Sequence, residues 1–158
     1  MAGNKKPKKK YRAKPARVLP INIRFSSDTE IKLQLIPHQF LEHLRTRGFE
    51  EHMWHAMAAR MNLGNTLAYT YFDDAKEAMD LACRALKSVW ERHERTGKWG
   101  GTGEELGQLG VGLNLTDDMQ RRCTRRELDG AMEHVYRAAA VDEKGRDAPL
   151  THPDAWRA

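Results

Sequence analysis

Along much of this chain the apolar residues recur at the three-and-four spacing of one buried helix face, and that periodicity confines the chain to a helical fold. Trp54, Met57, Ala58 and Met61 stand at i, i+3, i+4 and i+7, and Leu67, Ala68 and Tyr71 continue the stripe to Phe72. Asn62-Leu63-Gly64-Asn65 is a candidate interruption between them. Ala78, Leu81, Ala82, Ala85, Leu86 and Val89 form a wide face on a helix that Asp73 or Asp74 can cap and that runs to about His93. Thr96 to Gly103, with glycine at 97, 100, 101 and 103, is the clearest break. Thr102 stands three residues before Glu105, the spacing of a capping box, and opens a helix through Leu106, Leu109 and Leu113. Gly107, Gly110 and Gly112 weaken that helix by up to about 1 kcal/mol each relative to alanine, so close packing or mobility must account for them. Thr116 reads as the cap of a further segment, and Thr124 with Glu127 as the capping box before Leu128, Ala131, Met132, Val135 and Ala139.

Toward the N-terminus, Ser26, Ser27 and Asp28 with Glu30 signal a helix start, in competition with a strand in which Ile31, Leu33 and Leu35 alternate with polar residues. Pro37 fits a first helical turn, which predicts a short helix His38–Arg47 with Phe40, Leu41 and Leu44 inward and Gly48 as its stop. The order VLPINIRF, Val18 to Phe25, predicts a short extended segment whose Pro20 favours an edge. For 158 residues these signals predict a mainly α chain. It has a disordered basic arm over 1–17, a single helical-bundle domain of five or six helices over 18–141, and a C-terminal tail over 142–158 that contains Trp156. Cys83 and Cys123 are far apart in helical patterns and read as two reduced thiols, not a disulfide framework. No segment approaches the roughly 20 apolar residues of a membrane span, and no apolar run of a secretory signal follows the cationic start. The expected location is cytoplasmic, without membrane contact.

Charge divides the chain unevenly. Lys5, Lys6, Lys8, Lys9, Lys10, Arg12, Lys14 and Arg17 are eight cations without an acid among them, and the remainder holds 19 basic against 22 acidic residues, a net of −3. Prolines at 7 and 15 and the mutual repulsion of the lysines leave the arm no apolar face to bury. Such an arm neutralises phosphates and releases condensed counterions, so it points to nucleic acid or another polyanion. Tyr11 beside Arg12 adds a ring able to stack on a base. Two competing readings are a merely solubilising extension and an address signal, since Pro7-Lys8-Lys9-Lys10 resembles a nuclear import motif.

Arg121, Arg122, Arg125 and Arg126 form a second basic group before the last helix. In a helix-turn-helix they would lie near the groove-entering end, but Thr116 to Cys123 is longer than the usual turn. Arginines at a helix start also oppose its dipole unless Asp117 and Asp118 compensate, and the competing reading is a solvated, salt-bridged face. The acidic pairs Glu50-Glu51, Asp73-Asp74, Glu104-Glu105 and Asp117-Asp118 all read as helix starts, where dipole compensation explains them more simply than acid–base chemistry.

His52 and His55 with Glu51 have a one-face spacing but lack an HExxH motif and a third ligand, so no metal is expected. The glycines around Trp99 match neither phosphate-binding fingerprint, and no nucleophile elbow is present. The chain thus reads as a non-enzyme with no catalytic residue and no cofactor. Its expected partners are nucleic acid, DNA or RNA, or a nucleoprotein complex, with a host protein or a second copy of the chain as further candidates. The rival function is a protein–protein inhibitor or adaptor docking on a host enzyme through exposed helical faces near Trp54, Tyr69 or Trp99.

The stretches GNKKPKKKYR (3–12) and LNLTDDMQRRCTRREL (113–128) resemble a group of short uncharacterised helical proteins encoded by bacteriophages and prophages. The resemblance implies a bacterial host cell, in which nuclear import has no place, and an accessory role such as nucleic-acid handling or binding a host complex. It carries no catalytic residue.

Overall fold

The structure, a computed structural model, describes residues 27–142. The basic arm, the extended segment expected at Val18–Phe25 and all but the first residue of the expected tail lie outside them. Five helices make up the described chain: α1 (Ser27–Arg45), α2 (Glu51–Tyr71), α3 (Lys76–Thr96), α4 (Gly103–Arg122) and α5 (Arg125–Asp142), with a single 3₁₀ turn, Asp73–Ala75, ahead of α3. The chain is a helical bundle, and no described helix is long and apolar enough to cross a membrane.

Helices α2, α3 and α4 form the centre, with α1 laid over α2 and α4 and α5 packed mainly on α2. The predicted stripes supply the core. Trp54, Met57, Met61, Leu67, Met79, Leu86, Leu109 and Leu113 are fully buried. At roughly 1.5–3 kcal/mol for burying each such side chain, this stripe-on-stripe packing outweighs the weak helix preference of the glycine-rich α4.

Four expectations about helix ends are corrected. Neither Asp73 nor Asp74 caps α3: both lie in the 3₁₀ turn, and Ala75 precedes α3 with no side-chain cap bond. Pro37 does not begin a helix but sits inside α1. Pro37, Leu41 and Leu44, at i, i+4 and i+7, are buried on one stripe, and this packing offsets the single backbone bond that proline removes. Asn62–Asn65 does not interrupt α2, because Gly64 is a point of close approach: a Cβ there would lie 2.0 Å from Thr116 Oγ1 and 2.7 Å from Met79 Cε. Thr116 does not cap a segment. It is buried within α4, its hydroxyl donating to the Gly112 carbonyl at 2.8 Å. Gly112 is the matching notch, since a Cβ there would meet Ala82 Cβ at 2.4 Å, whereas nothing approaches Gly107.

Side-chain contacts fix the helix directions. Trp54 Nε1 donates to the Leu86 carbonyl at 3.0 Å and Tyr69 OH to Asp80 Oδ2 at 2.7 Å, so α2 and α3 are antiparallel. Arg92 pairs with Glu105 at 2.9 Å while Thr116 touches Met79, so α3 and α4 are antiparallel too. Leu41 lies over Gly110 and His38 meets Asp117, which turns α1 against α4 in the same sense. The bundle therefore has two poles. One gathers the end of α1, the start of α2, the end of α3 and the start of α4; the other gathers the opposite ends.

The first pole is aromatic. Trp54 and Trp90 lie 4.6 Å apart, Trp90 and Trp99 5.9 Å, Phe49 and Trp99 5.3 Å, and His93 stacks on Trp99 at 3.7 Å with the planes 5° apart. Gly97, at φ 69°, ends α3 in the left-handed conformation that lets the chain turn there. Arg92 fastens the loop by donating to the Gly100 carbonyl at 2.6 Å and to Glu105. The expected capping box is present: Glu105 N–H donates to Thr102 Oγ1 at 3.2 Å and Thr102 N–H to Glu105 Oε2 at 2.7 Å. Burial alone would raise the Glu105 carboxyl, but the Arg92 guanidinium and the Thr102 N–H outweigh it and hold it below the ordinary carboxylate range.

Candidate nucleic-acid interface

The second pole carries the arginines. Arg121 and Arg122 occupy the last turn of α4 and Arg125 and Arg126 the first turn of α5, separated only by Cys123 and Thr124. The long connection expected from Thr116 to Cys123 is absent, because α4 runs on to Arg122. The chain passes into α5 there through Thr124, whose hydroxyl accepts from the Glu127 N–H at 3.3 Å and whose N–H donates to Glu127 Oε2 at 2.8 Å, the predicted capping box. Arg121 and Arg122 thus meet the negative end of the α4 dipole, a favourable placement, while Arg125 and Arg126 oppose that of α5.

The four arginines are not equivalent. Arg122 reaches Asp118 at 3.6 Å and lies over the Phe72 ring at 4.9 Å, and Arg125 reaches Asp129 at 3.7 Å. Arg121 and Arg126 are exposed and have no ion pair among the described residues. A phosphate would therefore meet two arginines already held in place and two without a counter-ion. Acids share this pole, with Asp73 pairing to Lys76 at 2.6 Å and the Asp80 carboxylate accepting from Tyr69, so its positive field is local to the α4–α5 turn.

Asp117, expected to compensate these arginines from a helix start, does something else. It lies well inside α4, buried, and accepts from His38 Nε2 at 2.8 Å and from Arg60. This joint of α1, α2 and α4 sets how α1 lies on the bundle. Because α1 is antiparallel to α4, its first residue, Ser27, falls at the arginine pole, about 16 Å along the helix from His38. Ten residue steps of at most about 3.6 Å separate Arg17 from Ser27, so chain length alone bounds their separation at about 36 Å. Lys5, Lys6, Lys8, Lys9, Lys10, Tyr11, Arg12, Lys14 and Arg17 themselves lie outside the described residues.

Sequence reasoning missed Phe72 beneath Arg122, whose only signal was its place at the end of the α2 stripe, and Asp117, whose partners are 79 and 57 positions away. Trp54, offered as an exposed contact for an adaptor, is fully buried, whereas Tyr69 is half exposed. His52 and His55 pair with Glu50 at 3.2 Å and Glu51 at 3.3 Å. Among the described residues no group of three or more His, Cys, Asp or Glu is placed to hold a metal ion. Burial pushes the Cys83 thiol up to about 12 and also raises that of Cys123, and both are free. In comparisons with family models, curated proteins and solved structures, nothing matches this chain.

Proposed function

We propose that this protein is a non-enzymatic accessory protein of phage type that binds nucleic acid, or a nucleoprotein complex, through its basic arm, with Arg121 and Arg126 as a second contact. The supporting observation is the convergence at one pole: the exposed α4–α5 arginines and the point at which residues 1–26 join the bundle lie at the same end, more than 90 positions apart in sequence. The rest of the described chain argues against a broad contact, since residues 27–142 hold 19 acidic against 15 basic side chains. Binding is then a tether at one end, independent of sequence and working in the cytoplasm of a bacterial host.

Fluorescence anisotropy with labelled DNA and RNA across a salt series tests this reading. Eight neutralised phosphates give a log–log salt slope of about −7 on duplex DNA and about −6 on single strands, and removing residues 1–17 should abolish most of it. Equal, weak and salt-insensitive binding by the full chain and the shortened variant would overturn the proposal. An adaptor that docks on a host enzyme is the alternative, with the half-exposed Tyr69 as its contact, Trp99 being packed among the rings of the aromatic pole. It predicts that a pull-down retains its partner after residues 1–17 are removed.

A further inference from the structure

Helix α5 lies at the edge of the bundle and makes its main contact with α2, through a face that buries Ala131 with Leu128 packed beside it. Its other face is not polar throughout. Met132 and Tyr136, four residues apart and so neighbours on the helix surface, are 37% and 67% exposed. They line an open hollow with Asp129, Glu133 and Arg137. The charges are ordered along this patch: the acid Asp129 at its N-terminal end, with Arg125 of its own helix 3.7 Å away, the base Arg137 at its C-terminal end, and Glu133 between them, paired with Arg137 of its own helix.

An order of acid, apolar pair, base along one helix is complementary to itself when reversed. We propose that this face is the site of a two-fold, antiparallel pairing of α5 with α5 of a second copy of the chain. Met132 of each copy packs against Tyr136 of the other, and Asp129 of each faces Arg137 of the other. Two charge pairs follow from one sequence pattern, as an isologous contact requires. The register has its axis near Glu133, so the two Glu133 side chains approach one another there, and Arg137 of each copy stands between its own Glu133 and Asp129 of the other. It separates the two Arg125 positions by roughly 24 Å along the helix axis. The patch spans little more than two turns, well below the roughly 800 Å² per partner of a stable interface, so the association is weak and concentration-dependent. The inference stands apart from the nucleic-acid reading and uses no residue of the arm.

Sedimentation of the full chain from about 1 μM to about 300 μM, in buffer free of nucleic acid, is the test, the range being that in which a contact this small associates. The full chain should pass from monomer to dimer, and Tyr136→Glu should keep it monomeric while leaving its helical circular dichroism and melting unchanged. Asp129→Arg and Arg137→Asp should each weaken self-association roughly tenfold, because each sets like charges opposite one another at both ends. An equimolar mixture of those two variants should restore it, since unlike charges then meet at both ends. A chain that stays monomeric throughout overturns the proposal and leaves the face to a partner of a different kind. A dimer indifferent to Tyr136→Glu, or a mixture that does not recover, overturns it equally.

Discussion

At the aromatic pole the helix ends are closed by rings packed on rings and by a guanidinium that grips a carboxylate and a loop carbonyl; at the arginine pole they are closed by exposed charge pairs and a two-residue turn. The helices α1 to α4 therefore end in two kinds of surface. Ring burial contributes kilocalories per residue, whereas exposed pairs four apart on a helix contribute about 0.3–0.5 kcal/mol. Stability should reside at the first pole and tolerance at the second, which is where a binding surface can change without unfolding its scaffold.

The largest test of this contrast is Trp54→Ala, expected to lower stability by about 3–5 kcal/mol in urea melts, because it empties a fully buried site and leaves the Leu86 carbonyl without that donor. Next comes Asp117→Ala at the joint between the poles. Stranding Arg60 without its buried carboxylate should destabilise by about 3–5 kcal/mol at most, less where water reaches the site, and should loosen α1 in hydrogen exchange first. If Asp117→Ala melts like the parent, the joint is not what positions α1.

Two glycines in α4 separate packing from propensity. Gly112→Ala forces a methyl into Ala82 and Met61 and should destabilise by about 1–3 kcal/mol. Gly107→Ala meets nothing and should stabilise by up to about 1 kcal/mol. Thermal melts of the pair that moved in the same direction would contradict the assignment of Gly112 as a helix notch.

Acid probes the aromatic pole through Glu105. The folded Glu105 carboxyl titrates below its unfolded value of about 4.3, so its contribution is complete above that value and is lost as pH falls through the lower folded pKa. The gap between the parent and Glu105→Gln in urea midpoint should therefore be constant near neutrality and close on acidification below about pH 4. The smallest effect on stability belongs to Arg121→Ala with Arg126→Ala, within about 0.5 kcal/mol of the parent. Each replacement should nonetheless reduce the salt slope of nucleic-acid binding by about 1 if it meets a phosphate.

What was legible in the sequence was what is local. The boxes at Thr102–Glu105 and Thr124–Glu127 were readable because donor and acceptor are three residues apart, and the stripes from Trp54 and from Ala78 because one face of a helix is a local property. Gly64 and Thr116 were misread for a common reason. A glycine that breaks a helix and one that admits a neighbouring threonine look alike until the neighbour is known, and a threonine that caps looks like one that donates back into its own helix. Pro37 reads as a start because its local preference is clear, while the burial that carries α1 through it depends on α2 and α4. Of the site, the arginines were readable as residues. Their division into held and unpaired, and their meeting with the origin of α1, came only from helix directions set by contacts such as His38 with Asp117.

The place of Ser27 has an electrical consequence. Residues 27–142 hold 19 acidic against 15 basic side chains, and the eight cations of residues 5–17 join them only through Ser27, so charge of opposite sign is divided between two parts of one sequence. If the proposed binding holds, that division would exert a torque in the field of a polyanion before any contact forms and would turn the cationic part forward. The capture rate should then fall steeply with ionic strength while tumbling in an electric pulse, measured as transient birefringence, reports the same division without any ligand at all.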